Sequence, residues 1–284
     1  GPTIECGYHG LEFDPTGACV RVPGQSRVPP GASVASWPVC ERLNIIWVWP
    51  GDVSAADEAL VPDLWWLDHP EWTRAGGYLH LTADYRLLID NLLDLTHVSY
   101  IHRETLAGDP KEALVPVETT REHDSIRVER WMLGFSAPPM YDRARKFEGA
   151  VDRWQLITWQ SPSTVTLDIG CADAGTGAPE GDRSHGISMW SNHIITPETE
   201  NSTHYHWCFA RNYALDDASV TDVLVKGGMQ TFLEDVEVLE AQHEAMKKVG
   251  GRPVVDVNID NAPLQFRRVL DERIAAERDP MAAE

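Results

Sequence analysis

The stretch Asp90-Asn-Leu-Leu-Asp-Leu-Thr-His-Val-Ser-Tyr-Ile-His102 constrains the chain more than any other. It sets two imidazoles, His97 and His102, beside the carboxylate of Asp94, in a run whose other positions are mostly Leu, Ile and Val. Neutral imidazoles are the commonest protein ligands for iron, zinc and copper. An apolar frame of Leu88, Ile89, Leu92, Leu93, Leu95, Val98 and Ile101 holds such ligands in a dry pocket. A buried amphipathic helix carrying two incidental histidines satisfies the same pattern. Positions five apart on an ideal helix point about 140° away from each other. His97 and His102 therefore share a face only if the helix is distorted or ends between them, whereas Asp94 and His97, three apart, lie together.

With 284 residues, 43% hydrophobic and 24% charged, the chain suits one or two globular domains with a substantial core. Eleven Trp and seven Tyr supply flat side chains for an aromatic-lined pocket. A formal net charge of −20 argues against nucleic acid or an anionic membrane as partner. No apolar run is long enough to span a bilayer and no signal peptide opens the sequence. Five irregularly spaced cysteines do not form a disulfide framework, so a reducing cytoplasm is expected.

Residues 4–49 alternate Gly- and Pro-rich turns with short strand-like pieces such as 19–22 and 45–49, which predicts a small β domain. Within it lies Cys6-Gly-Tyr-His9-Gly10, followed by Val22-Pro-Gly-Gln25. A Cys and a His two residues apart reach one metal from a tight loop. Alone, the pair fits a zinc knuckle or chance equally well. Gly1-Pro-Thr-Ile-Glu-Cys6 opens in the middle of a strand, so residues are expected to precede it.

Cys6-Gly-Tyr-His-Gly-Leu-x-Phe with Val22-Pro-Gly-Gln resembles the second half of a Rieske [2Fe–2S] motif, in which two Cys hold one iron and two His the other. The companion Cys-x-His belongs upstream and is not in this sequence. Asp94, His97 and His102 resemble the Asp-x-x-His-x-x-x-x-His motif of Rieske non-haem iron oxygenases. The phrase Ile195-Thr-Pro-Glu-Thr-Glu-x-Ser-Thr-His-Tyr205 is similar to the vanillate O-demethylase oxygenase branch. Two motifs of different chemistry in the family's order, over almost the whole chain, are far more specific than either alone.

The remaining pattern fits an α+β chain. Residues 53–72 form an acidic connection with Trp65, Trp66 and Trp72 as packing anchors. Residues 78–84 alternate as a strand, and 109–114 read as an exposed loop near the pocket mouth. Strand signals follow at 118–122, 125–132, 154–159, 164–171 and 186–196, with a hairpin turn at 197–202 and a partner strand at 203–213. A helix over 226–249, with a stripe of Phe232, Val236, Leu239 and Met246, stops at Gly250-Gly251. The tail after Pro263 reads as a charged, polar helix ending in disorder.

The resemblance implies a partial Rieske domain over residues 1–52. A helix-grip-like catalytic domain over 53–284 then wraps a curved antiparallel sheet around a central helix. It implies a mononuclear Fe(II) held by His97, His102 and Asp235 near the start of the long helix, with Glu234 and Glu237 as runners-up. Cys6 and His9 then supply half the ligands of the cluster. It assigns Asp94 as the bridge that carries electrons between subunits of a homotrimer, with Asn91 hydrogen-bonding near the iron. Asn192, His193 and Trp207 are expected around the substrate. The implied reaction is dioxygen-dependent O-demethylation of a methoxybenzoate such as vanillate, releasing formaldehyde. No Gly-rich nucleotide fingerprint follows a strand, so NAD(P)H is expected on a separate reductase. Aryl sulfonate methyl hydroxylation, N-demethylation, an electron carrier without catalytic iron, and a metal-free helix-grip binding protein remain the alternatives. None of these patterns identifies the group that meets the substrate's acid.

Overall fold

Period-two alternation is what a half-buried strand requires, and most of the residues from 73 onward that carry it pair into one sheet. In the computed structural model, residues 2–103, 105–106, 110–250 and 255–278 are described. The chain divides into two compact units, Gly1–Leu64 and Trp65–Glu284. None of the five cysteines is disulfide-bonded.

In the first unit, β1 (Ile4–Glu5), β2 (Glu12–Phe13) and β3 (Cys19–Arg21) form a three-stranded antiparallel sheet, and β4 (Val39–Arg42) pairs with β5 (Ile45–Val48) as a hairpin. The strands are only two to four residues long, as the density of turn residues dictates.

The second unit opens with β6 (Thr73–Leu81), α1 (Tyr85–Leu93) and α2 (Val98–Ile101). It continues through β7 (Glu118–Glu122), β8 (Ser125–Phe135), α3 (Pro139–Ala144), β9 (Val151–Gln160), β10 (Thr164–Asp173), β11 (Gly186–Thr199) and β12 (Ser202–Arg211). Helices α4 (Ala218–Val249) and α5 (Asn261–Arg278) close it. The seven strands order as β6-β12-β11-β10-β9-β8-β7, every pair antiparallel. Strands β7 to β12 thus run as a meander, and β6 joins its far edge.

Alternation assigns each residue a side. Ile126, Val128, Ile157, Trp159, Val165, Ile169, Met189 and Ile195 face one way and merge with Leu87, Leu88, Ile89, Leu92 and Leu93 of α1, Phe232 of α4 and Phe266 of α5 in a single core. Trp154 and Ala172 face the other way and form a separate cluster with Ala178 of the turn that follows β10. Helix α4 presses against the sheet through Gly228, where an added Cβ would meet the Phe209 ring at 2.3 Å. Only glycine permits that approach.

Four expectations are corrected. The long helix begins at Ala218, capped by Asp217 whose carboxylate accepts the Ser219 N–H, so Asp235 lies near its middle rather than its start. Its buried stripe is Val220, Leu224, Gly228, Thr231, Phe232, Asp235, Leu239 and His243, and Met246 is 40% exposed. The exposed loop at 109–114 is instead a 3-10 turn, Pro110–Leu114, whose Glu112 is fully buried; Asp109 lies outside the described residues, as does Gly251. Helix α5 is not merely a polar tail, because Ala262, Pro263, Phe266, Val269 and Leu270 are buried along it. Residues 279–284, where disorder was expected, lie outside the described residues.

Candidate metal centre

Asp84 starts α1 by accepting the Arg86 N–H, and the helix stops at Asp94, whose backbone turns extended. Asp94 Oδ1 then takes the N–H and hydroxyl of Thr96 at 2.7 and 2.6 Å, an Asx turn that competes with further helix. One helical turn, α2, follows, with His97 immediately before it and His102 immediately after. The backbone leaves helical geometry at His102, with φ −98° and ψ 38°. This break resolves the 140° problem: the two rings meet edge-on with centroids 5.1 Å apart.

Asp235 comes to meet them from α4. Its Oδ1 lies 3.7 Å from His97 Nε2 and 3.0 Å from His102 Nε2, and one donor atom from each of the three residues falls within 4.8 Å of the others. Nitrogen and oxygen ligands sit about 2.0–2.2 Å from a divalent transition ion. Donors at these separations can therefore close on one ion with small side-chain rotations. No other such set of three occurs among the described residues. Glu237 is exposed on the same helix.

Neighbouring groups fix the orientation of the three. Asn91 Nδ2 donates to Asp235 Oδ1 at 3.1 Å. Glu234 Oε2 lies 2.8 Å from His102 Nδ1 and accepts the Thr105 hydroxyl at 3.1 Å. That carboxylate holds a proton on Nδ1 and leaves Nε2 to point at Asp235, the arrangement expected of a metal-ligating histidine. His97 Nδ1 is buried without a hydrogen-bond partner, 4.0 Å from Asp94 Oδ2. The pKa values of the two histidines are displaced in opposite directions. Burial lowers the His97 pKa below the ordinary imidazole range, against the opposing pull of Asp235. Burial also acts downward on His102, but the hydrogen bonds and charges of Asp235 and Glu234 outweigh it and hold that pKa above the ordinary value.

A metal must displace the proton that His102 retains. Lowering the pH through the raised His102 pKa is therefore expected to weaken divalent-metal uptake, and Glu234→Gln is expected to weaken it a further ~10–100-fold at neutral pH. Titration of the metal-free protein with Co(II) at pH 6 and pH 8 measures both effects.

The three donors open onto a cavity between the helices and the inner face of the sheet. Leu95, Val98, Met140, Leu167, Ile169 and Phe209 make it mostly apolar, and Arg153, Gln155, Ser191 and His193 add polarity on the sheet side. His193 Nδ1 lies 2.5 Å from the Tyr205 hydroxyl and Nε2 lies 2.9 Å from Ser191 Oγ; burial drives its pKa down to about 3, so the ring is neutral. Asn192 does not line the cavity. As the next residue on β11 it points to the opposite face, where it accepts from Trp66 Nε1 at 2.9 Å and donates to the Cys208 carbonyl at 3.1 Å. Trp207 shares the inner face with His193 but stands behind Phe232, centroids 5.0 Å apart, and does not line the cavity either. Cys6 and His9 are both exposed in the turn between β1 and β2, where the Cys6 N–H donates to the Leu11 carbonyl and the Gly10 N–H to the Cys6 carbonyl.

Residues 81–276 match the family model of the vanillate O-demethylase oxygenase C-terminal domain. The chain belongs to the vanillate O-demethylase branch of the Rieske oxygenases. Residues 1–38 match the Rieske [2Fe–2S] domain. A toluene-4-sulfonate monooxygenase system iron-sulfur subunit of Comamonas testosteroni is 40% identical over 98% of the chain and 81% of its own length. A vanillate O-demethylase oxygenase subunit of a Pseudomonas strain is 38% identical over 97% and 84% respectively. The crystal structure of dicamba monooxygenase bound to dicamba superposes with a TM-score of 0.86 at 32% identity, covering 97% of this chain and 80% of that one. This Rieske oxygenase is therefore an oxidoreductase, a terminal oxygenase component with iron and iron–sulfur cofactors. Among its described residues no helix is long and apolar enough to cross a membrane.

Sequence reasoning missed Glu234 as the orienting partner of His102, and missed Arg153 and Gln155 in the cavity wall. A signal for the last two existed: on β9 they occupy the inward alternate positions that continue as Ile157 and Trp159.

Proposed function

We propose that the chain oxidises a methyl group carried by an aromatic acid, with O-demethylation of a methoxybenzoate such as vanillate as the reaction. The observation that carries this reading is the convergence of His97, His102 and Asp235 at the end of a mostly apolar cavity. Two imidazoles and one carboxylate on one side of an ion leave other positions open, the ligand set of non-haem Fe(II) oxygenases. Iron bound there supplies the dioxygen chemistry. The protein's own part is to keep water out with Leu95, Val98, Ile169 and Phe209, and to hold the His102 imidazole through Glu234 and the Asp235 carboxylate through Asn91. The ether substrate, dioxygen, two electrons and two protons yield a hemiacetal and water, and the hemiacetal collapses to phenol and formaldehyde.

Cys6 and His9 supply one thiolate and one imidazole to the [2Fe–2S] cluster, and the electrons come from a reductase that binds NAD(P)H. Asp94 links the cluster of one subunit to the iron of the next in a head-to-tail homotrimer, since a heterologous interface that closes makes a ring. Its Oδ2, 4.0 Å from His97 Nδ1, supports that role. Five cysteines without disulfides suit a reducing cytoplasm. Similarity to the toluene-4-sulfonate relative favours one second reading, hydroxylation of an aryl sulfonate's methyl group. A screen of methoxybenzoates and methylbenzenesulfonates with reductase, NADH and dioxygen separates the two. Formaldehyde from the first set supports O-demethylation, a hydroxymethyl product from the second supports the alternative, and no product from either rejects both.

A further inference from the structure

Two guanidiniums lie buried beside the cavity with one carboxylate between them. Arg130 and Arg153 are each 1% exposed and Glu112 is fully buried. Glu112 Oε2 accepts a single hydrogen bond from Arg153 Nη1 at 2.6 Å. Among the described residues Arg130 is hydrogen-bonded only by neutral acceptors, Gln155 Oε1 at 2.9 and 2.5 Å and the Glu112 carbonyl at 3.3 Å, with the Glu112 and Asp94 charges acting on it without a hydrogen bond. Burial and the neighbouring Arg153 charge pull the Arg130 pKa down to about 10. Arg153 Nε is buried with no hydrogen-bond partner, and the guanidinium carbon lies 5.8 Å from the Tyr141 ring centroid. Excess buried positive charge is costly unless something of opposite sign meets it.

Arg153 is the one Lys or Arg lining the cavity among the described residues. His193 cannot replace it, because that ring is neutral and both its nitrogens are engaged. Gln155 stands two residues along the same face of β9. A guanidinium only donates, so Arg130 fixes the Gln155 carbonyl toward itself and leaves the amide N–H2 as a donor at the cavity wall.

We propose that Arg153, assisted by the Gln155 amide, is the specificity-determining anchor for the carboxylate or sulfonate of the aromatic substrate. The inference rests on the oxygenase reading above and supplies the acid-recognising group which that reading lacks. The acid group neutralises the buried excess charge, and the ring lies along Leu167, Ile169 and Phe209 in the same cavity as the metal-facing donors.

Calorimetric titration of the iron-loaded oxygenase under anaerobic conditions tests this without turnover. The ligand pairs are 3-methoxybenzoate against 3-methoxybenzamide, and 4-methylbenzenesulfonate against its neutral sulfonamide. The wild-type protein is expected to prefer one acid over its amide by about 30-fold or more. Arg153→Gln is expected to abolish that preference while leaving amide affinity unchanged, and Arg153→Lys to keep part of it. A wild-type protein with no preference, or that binds neither acid, overturns the proposal even if Arg153→Gln does not fold. So does a folded Arg153→Gln protein that retains the preference. Oxidation of acid and amide alike keeps the oxygenase reading and rejects the anchor. Arg153-dependent binding with no product under reductase and dioxygen keeps the anchor and rejects the oxygenase.

Discussion

Asp235→Ala is expected to fold, to lose its mononuclear iron and to have no measurable turnover. Altering only a partner that orients a ligand costs ~10–100-fold in metal affinity, so deleting the sole oxygen donor of the three-residue set should cost at least about 100-fold. Folding should survive because the substitution shortens a side chain in a helix that has its own N-cap and a buried stripe on either side of position 235. The local penalty is the loss of partners for Asn91 Nδ2 and His102 Nε2, roughly 1–3 kcal/mol for each group left unsatisfied. Metal analysis against the wild-type protein is the measurement, with cluster iron counted separately by its visible absorption. Glu237→Ala, an exposed carboxylate two residues along the same helix, is the control and should keep its iron. An Asp235→Ala protein with stoichiometric mononuclear iron would remove the basis of the oxygenase reading.

The two histidines were legible because His, Asp and apolar residues occur together within thirteen positions, and local spacing is what sequence displays best. How they meet was not. It depends on the Asx turn at Asp94 and on the backbone leaving the helix at His102, each a one-residue event. Asp235 came from the family resemblance, although a physical signal was present. It lies three or four residues from Thr231, Phe232 and Leu239 and seven from Gly228, a carboxylate in the helix's buried stripe. The stripe drawn through Val236 and Met246 hid it by a rotation of one position. Asn192 failed for a related reason. On a strand, neighbours take opposite faces, so His193 and Asn192 could not both enter the cavity. Glu112 and Arg153, 41 residues apart, were out of reach, because only the folded sheet brings a turn beside β9.

Phe266→Ala should destabilise the protein by about 3–5 kcal/mol, the usual cost of truncating a buried Phe. Phe266 is fully buried on α5 and packs edge-to-face on Trp159 of β9, centroids 4.9 Å apart at 72°. For a unit of this size the change corresponds to a fall in Tm of roughly 6–20 °C, read by calorimetry on the metal-loaded protein. The expected effect reaches beyond stability. Helix α5 packs along α1, and Arg267, the next residue, holds Asp90 of α1 through Nε at 3.0 Å. Asp90 directly precedes Asn91, which positions Asp235. A cavity beneath α5 should therefore loosen the backing of α1 and weaken metal retention on dialysis, while leaving all three donors in place. An unchanged Tm would mean that α5 contributes little to the core. An unchanged rate of metal loss, with Tm lowered as expected, would mean that the donors are held by α4 and the turn at Asp94 alone.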